Sequence, residues 1–201
     1  MGVLALVGEN GEGKTTRVKL LARLYDPDEG RILLDGHDLR EYDLAALRSN
    51  IGVIFQDFVR YHLTAAENIA VGRIDARDDR ARIVDAARRS LADEVIAKLP
   101  NHYEQMIGKR FRGGIDLSGG EWQKIAIARA YMREAQVLLL DEPPAALDAR
   151  SEFEVFHRFK ELSRDTPTVL LSPRFSVVSS AARVVLTHEV PVGYIGTPAT
   201  R

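Results

Sequence analysis

The chain has 201 residues, 45% of them hydrophobic, with 28 Lys and Arg against 29 Asp and Glu and a formal net charge of −1. That length holds one domain, or a core with a small subdomain, and the balanced charge excludes a bulk basic surface for nucleic acid. The absence of cysteine excludes disulfides, thiolate metal sites and cysteine nucleophiles and suggests a soluble domain of a reducing compartment, and no apolar run approaches the roughly 20 residues that span a bilayer.

The first element is a short apolar run, Val3-Leu4-Ala5-Leu6-Val7, read as a buried strand. It leads directly into Gly8-Glu9-Asn10-Gly11-Glu12-Gly13-Lys14-Thr15-Thr16 and then into Arg17 to Tyr25, where Val18, Leu21 and Tyr25 fall on one helical face. Strand, glycine loop and helix form the context in which G-x-x-x-x-G-K-[ST] reads as a phosphate-binding loop. Gly8, Gly11 and Gly13 open backbone angles closed to other residues. Successive N–H groups can then point inward around an anion, and the helix starting near Lys14 adds its positive end. Lys14 is expected to reach the β- and γ-phosphates and Thr15 to ligate Mg²⁺, with Gly8, Asn10, Gly11, Gly13 and Thr16 completing the nucleotide-binding set.

Asp26-Pro27-Asp28-Glu29-Gly30 carries turn chemistry that stops the first helix. Arg31 to Leu34 reads as a short strand, Asp35-Gly36 as a turn, Leu44 to Arg48 as a short helix, and Ile51 to Phe55 as a buried strand ending at Gln56. From Thr64 to Leu99 the pattern is helical, with Asp78 and Arg82, and Asp85 and Arg89, spaced as i,i+4 ion pairs on a solvated face. Leu117-Ser118-Gly119-Gly120-Glu121 enters a helix from Trp122 to Met132. Val137 to Leu140 is a fully apolar strand that closes in Asp141-Glu142-Pro143. An amphipathic helix is expected over 151–162 and a strand over 168–171. Val184-Val185-Leu186 and Val192-Gly193-Tyr194-Ile195 are expected at sheet edges. Strands alternating with helices predict an α/β fold around a mostly parallel sheet, with core segments 1–56 and 137–201 and a helical insertion over about 57–136.

Two further stretches carry chemistry. A carboxylate at a strand end, Asp141, can hold Mg²⁺ through water opposite Thr15, and the adjacent Glu142 can act as general base on an attacking water. The alternative is a polar turn that caps the strand. Ser118, Gly119 and Gly120 repeat the anion-seeking helix start, in which case each of two chains could close over the other's nucleotide. The alternative is a serine cap with a flexible entry.

Taken together, the chain resembles the nucleotide-binding domain of an ABC transporter. Gly8 to Thr15 corresponds to Walker A, Gln56 to the Q-loop glutamine, Leu117 to Glu121 to the signature, and Val137 to Asp141 with Glu142 to Walker B. Ala146-Leu147-Asp148 resembles the D-loop. Phe55-Gln56-Asp57-Phe58 and Thr64-Ala65-Ala66-Glu67-Asn68-Ile69 resemble exporter-type cassettes. The resemblance covers about residues 1–175. It implies a P-loop NTPase with a RecA-like core and an ABC helical subdomain, and ATP hydrolysis with Mg²⁺ that powers export.

In the same way the resemblance implies a head-to-tail dimer with a second nucleotide-binding domain, identical or not. Transmembrane domains would be partners, nucleic acid would not, and the place would be the cytoplasmic face of the cell membrane. Glu142 and Gln56 are its catalytic residues, and Thr15, Gln56 and Asp141 hold its metal. Ser118, Gly119 and Gly120 contact the γ-phosphate held by the other cassette. Phe58, Arg60 and Tyr61 either touch a membrane-domain helix or are ordinary core and surface residues.

Three departures qualify the resemblance. The chain starts after the place where relatives carry an adenine-stacking aromatic and two early strands. It is therefore expected to be N-terminally truncated, with an unpaired sheet edge and weakened nucleotide binding. Pro173 stands where a switch histidine is expected, and proline offers neither a side-chain donor nor a charge; His188 is a lone, distant histidine. The stretch after Arg183 does not resemble the usual closing helices. The alternatives are a nucleotide-binding remnant with impaired turnover, and a soluble ABC ATPase of DNA repair or translation. The insertion lacks the sustained heptads of a DNA-repair coiled coil, and a single cassette does not match the two of the translation type.

Overall fold

The computed structural model describes residues 3–7, 13–55, 57–141, 157, 161, 166–172, 183–186 and 195–196. The chain divides into two compact units, one of Met1–Phe55, Ala135–Glu142 and Ser163–Arg201, the other of Gln56–Glu134 and Pro143–Leu162.

The first unit contains β1 (Val3–Val7), α1 (Lys14–Leu21), β2 (Leu33–Leu34), β3 (His37–Asp38), α2 (Leu44–Asn50), β4 (Ile51–Ile54), β5 (Val137–Leu140), β6 (Thr168–Ser172), β7 (Arg183–Leu186) and β8 (Ile195–Gly196). Six strands form one sheet in the order β4-β5-β6-β1-β7-β8. Neighbours are parallel except for antiparallel β7 and β8. The nearly unbroken apolar runs of β1, β5 and β6 match strands of a parallel sheet. Val18, Ala22, Leu139 and Leu171 make a core cluster, bordered by Leu21, Ile51, Val53, Phe55, Val137 and Val169. Fully burying a side chain such as Val18, Leu139 or Leu171 contributes about 1.5–3 kcal/mol. The α/β class and the mostly parallel sheet expected from the sequence are what the structure has.

Three local expectations are corrected. β7 is not an edge strand: it lies between β1 and β8, because Leu4 to Val7 pair with it on one side while Val3 to Val7 pair with β6 on the other. Among the described residues the ends of the sheet are β4 and β8. The first helix does not run to Tyr25, which is 65% exposed. Arg23 adopts φ 48, and the N–H groups of Arg23 and Leu24 donate to the carbonyls of Leu20 and Lys19 at 2.9 and 2.8 Å. This is a Schellman stop with arginine in the left-handed position usually taken by glycine. Only Leu33 and Leu34 of the expected Arg31–Leu34 strand pair, with His37 and Asp38, across Asp35 and Gly36 at φ 51 and 84, as a type I′ turn requires.

The second unit contains α3 (Ala65–Ala70), α4 (Arg80–Ser90), α5 (Ala92–Ile96) and α6 (Gly119–Arg133). α6 is buried along most of its length, with Trp122, Ile125, Ile127 and Met132 at most 1% exposed; α3, α4 and α5 all pack on it. The helical stretch expected over Thr64 to Leu99 is broken. α3 starts on a reciprocal Thr64–Glu67 capping box, Asp79 caps α4 through the Arg82 N–H, and Leu91 at φ 61 separates α4 from α5.

Arg89 pairs with Asp85 at 3.8 Å as expected, whereas Arg82 pairs with Glu134 at 2.8 Å rather than with Asp78. The reason is that Asp78 precedes the helix and meets Arg77. Among the described residues no helix is long and apolar enough to cross a membrane. Of the helix expected over 151–162 only His157 and Glu161 are described, an i,i+4 pair at 3.5 Å.

Candidate functional site

In the first unit, Gly13 caps α1 at φ 74, ψ 19. A Cβ there would meet nothing within 4 Å, so the backbone angle and not crowding calls for glycine. Glycine supplies no capping side chain. The first-turn N–H groups of Lys14, Thr15 and Thr16 thus keep the donor capacity that a helix start offers an anion. Thr15 and Thr16 are exposed.

At the end of β5, the Asp141 N–H donates to the Ile54 carbonyl at 2.8 Å, extending the β4–β5 ladder by one residue and fixing where its carboxylate sits. The Thr15 hydroxyl donates to Asp141 Oδ2 at 3.0 Å, and Asp141 is only 5% exposed. A hydroxyl and a carboxylate side by side are hard oxygen donors of the kind Mg²⁺ takes, with water and phosphate oxygens filling the remaining octahedral positions. The residues present therefore fit a Mg²⁺–nucleotide.

In the second unit, Ser118 caps α6. Its hydroxyl accepts from the Glu121 N–H at 3.4 Å, while Glu121 Oε2 accepts from the Ser118 hydroxyl and N–H, both at 2.8 Å. Buried Leu117 and Trp122 anchor the turn from below, leaving Ser118 and Gly119 exposed. A Cβ on Gly119 would meet nothing within 4 Å, so the chain itself does not demand glycine there, as befits backbone left bare for a ligand's close approach. The reciprocal Ser118–Glu121 bonds were missed by sequence reasoning, although the S-x-x-E spacing of a capping box announces them.

The structure thus brings Thr15 to Asp141, places Gly13 and Lys14 at the start of α1, and places Ser118, Gly119 and Gly120 at the start of α6. Gly8, Asn10, Gly11, Gln56 and Glu142 lie outside the described residues. So do Ala146-Leu147-Asp148, Pro173 and His188. Beyond Gln56, Phe58 is half-buried and Arg60 and Tyr61 are exposed.

Comparison with known proteins places these features in context. A family model described as ABC transporter matches residues 2–145. The chain is 39% identical over 194 residues to the subtilin transport ATP-binding protein of Bacillus subtilis, covering 96% of this chain and 32% of that protein. It is 40% identical over 194 residues to the ATP-dependent lipid A-core flippase of Escherichia coli K12, covering 96% of this chain and 33% of the flippase. Among solved structures, a bacterial Atm1-family ABC exporter with ATP bound matches with a TM-score of 0.85 at 35% identity, over 98% of this chain and 33% of that one. The chain spans about a third of the length of these relatives.

Proposed function

Because this chain belongs to the ABC transporter family and has a P-loop NTPase fold, we propose that it is the ATPase cassette of an exporter, binding ATP with Mg²⁺ and hydrolysing it in a head-to-tail pair of cassettes. The observation that carries this reading is the Thr15–Asp141 contact at 3.0 Å, which joins the end of the phosphate loop to the carboxylate at the end of β5. Lys14 and the first N–H groups of α1 hold the phosphates. Thr15 and Asp141, with Gln56, hold the metal, which when bound neutralises charge on the β- and γ-phosphate oxygens. Glu142 polarises the attacking water. Ser118, Gly119 and Gly120 close on the γ-phosphate of the other cassette, where positioning and charge neutralisation lower the barrier.

The partners are membrane domains, and the place is the cytoplasmic face of a membrane; the E. coli flippase and the ATP-bound exporter support both. Exposed Arg60 and Tyr61 beside half-buried Phe58 are the candidate contact to those domains. A second reading, a binding module with impaired turnover, is favoured by one observation: the residue after β6 is Pro173, which cannot supply a side-chain donor.

Nucleotide binding and phosphate release measured side by side test both readings. Mg²⁺-dependent binding of a fluorescent ATP analogue with steady release is the expected result, with Lys14→Ala weakening binding by about tenfold or more. Binding without release would select the module. No binding by the unsubstituted chain would remove both.

A further inference from the structure

α6 carries a second feature besides its N-terminal turn. Arg129, on the same helix as Ser118, turns its guanidinium into the polypeptide that follows Gln56. Its Nη1 donates to the Val59 carbonyl at 2.7 Å, its Nε to the Asn68 carbonyl at 2.9 Å and its Nη2 to Asn68 Oδ1 at 2.8 Å. The Tyr61 ring lies 5.0 Å from the guanidinium carbon, within cation–π reach. The fully buried Asn68 then donates through Nδ2 to the carbonyls of Tyr61, Leu63 and Thr64 at 3.2, 3.1 and 3.0 Å.

Two side chains thus gather the backbone from Val59 to Thr64, an irregular stretch that makes few ladder bonds of its own, and fasten it to α6. The planar fork of arginine fits several fixed acceptors at once, which a lysine does not. Burial pushes the Arg129 pKa down to about 10, so the guanidinium remains charged at neutral pH. Among the described residues its hydrogen-bond and ring partners are Val59, Asn68 and Tyr61. Close packing reinforces the link, since a Cβ on Gly72 would lie 2.2 Å from the Arg129 carbonyl oxygen.

We propose that Arg129 is a positioning residue which, with Asn68, ties the segment after Gln56 to the helix that begins at Ser118, so that engagement of nucleotide at Ser118-Gly119-Gly120 displaces residues 59–64 as one body with α6. The inference rests on the nucleotide reading above. It adds to that reading a specific route between the turn at Ser118 and the exposed Arg60–Tyr61 surface.

The test uses two optical probes in the whole chain. Trp122 is the only tryptophan and reports on the start of α6. The absence of cysteine lets Val59→Cys, at a 56% exposed position, carry a single environment-sensitive dye. With Mg²⁺–ATP both probes are expected to respond with the same concentration dependence. Arg129→Lys is expected to keep the Trp122 response with ATP affinity within about twofold, while the dye response is lost and kcat falls about tenfold.

Asn68→Asp, which keeps an oxygen toward Arg129 but removes the donors to Tyr61, Leu63 and Thr64, is expected to act alike and guards against a folding defect peculiar to one variant. Circular dichroism of each variant confirms that the chain is folded. A dye response that survives both substitutions overturns the proposal, as does a loss of both probe responses together at unchanged fold. Silence of both probes in the unsubstituted chain removes the nucleotide reading itself and the coupling with it.

Discussion

At the scale of single residues, the site depends on which oxygen faces which. Thr15 holds Asp141 by one hydroxyl bond at 3.0 Å. Removing the hydroxyl by Thr15→Val takes one donor from a carboxylate that is 5% exposed, and a hydrogen bond to a charged group contributes about 1.5–3 kcal/mol. It also deletes one of the three side-chain oxygens, of Thr15, Gln56 and Asp141, assigned to Mg²⁺. The two effects separate experimentally. Binding of the ATP analogue without metal should change little in Thr15→Val, whereas the Mg²⁺ concentration for half-maximal binding should rise about tenfold. An unchanged Mg²⁺ dependence would show that Thr15 serves only as a structural partner of Asp141. The Ser118 hydroxyl, by contrast, is held by Glu121 at 2.8 Å, so a γ-phosphate approaching Ser118 meets a hydroxyl already donated to a carboxylate.

At the scale of elements, α6 shows what a sequence discloses and what it withholds. Its existence and the serine before it follow from a local signal, a serine and two glycines ahead of a largely apolar run, whereas the glutamate three residues on, which completes the cap and starts the helix at Gly119 rather than Trp122, is the part that sequence reasoning missed. The phosphate loop is legible for the same reason, since all of its parts are contiguous. The Thr15–Asp141 contact is anticipated only because a carboxylate closes an apolar strand. Arg129 carries no such mark; its acceptors are backbone carbonyls at Val59 and Asn68, and periodicity says nothing about where a carbonyl points. The same limit misplaced Arg82, whose partner Glu134 is distant in sequence, and Tyr25, because a left-handed arginine at Arg23 lacks the glycine that usually announces a helix stop.

Packing between elements is equally hidden. Gly72, just beyond α3, lies against α6 so closely that a Cβ would fall 2.2 Å from the Arg129 carbonyl oxygen, and backbone cannot yield as a flexible side chain can. Gly72→Ala is expected to destabilise the chain by about 1–3 kcal/mol, read as a lower urea midpoint at unchanged slope. A midpoint equal to that of the unsubstituted chain would mean that α3 and α6 separate without cost.

At the scale of the whole molecule, the chain carries two helix starts suited to phosphate, one after Gly13 and one after Ser118, in different compact units. If both served one nucleotide within a chain, damage to either would be irreparable by a second chain. If each completes the other's site across a two-fold pair, the defects complement. Lys14→Ala and Ser118→Glu chains are each expected to lack ATP turnover, the first through lost phosphate binding and the second through a carboxylate opposed to the γ-phosphate. In a mixed dimer one site combines both defects, while the other combines an intact phosphate loop with an intact Ser118 turn. Random pairing makes half of the dimers mixed with one working site each, so an equimolar mixture should recover about a quarter of the unsubstituted rate. Titrating one variant into the other should trace a maximum near equal amounts. A mixture as inactive as its components, with dimers still forming by light scattering, would exclude the shared site and return both helix starts to a single chain.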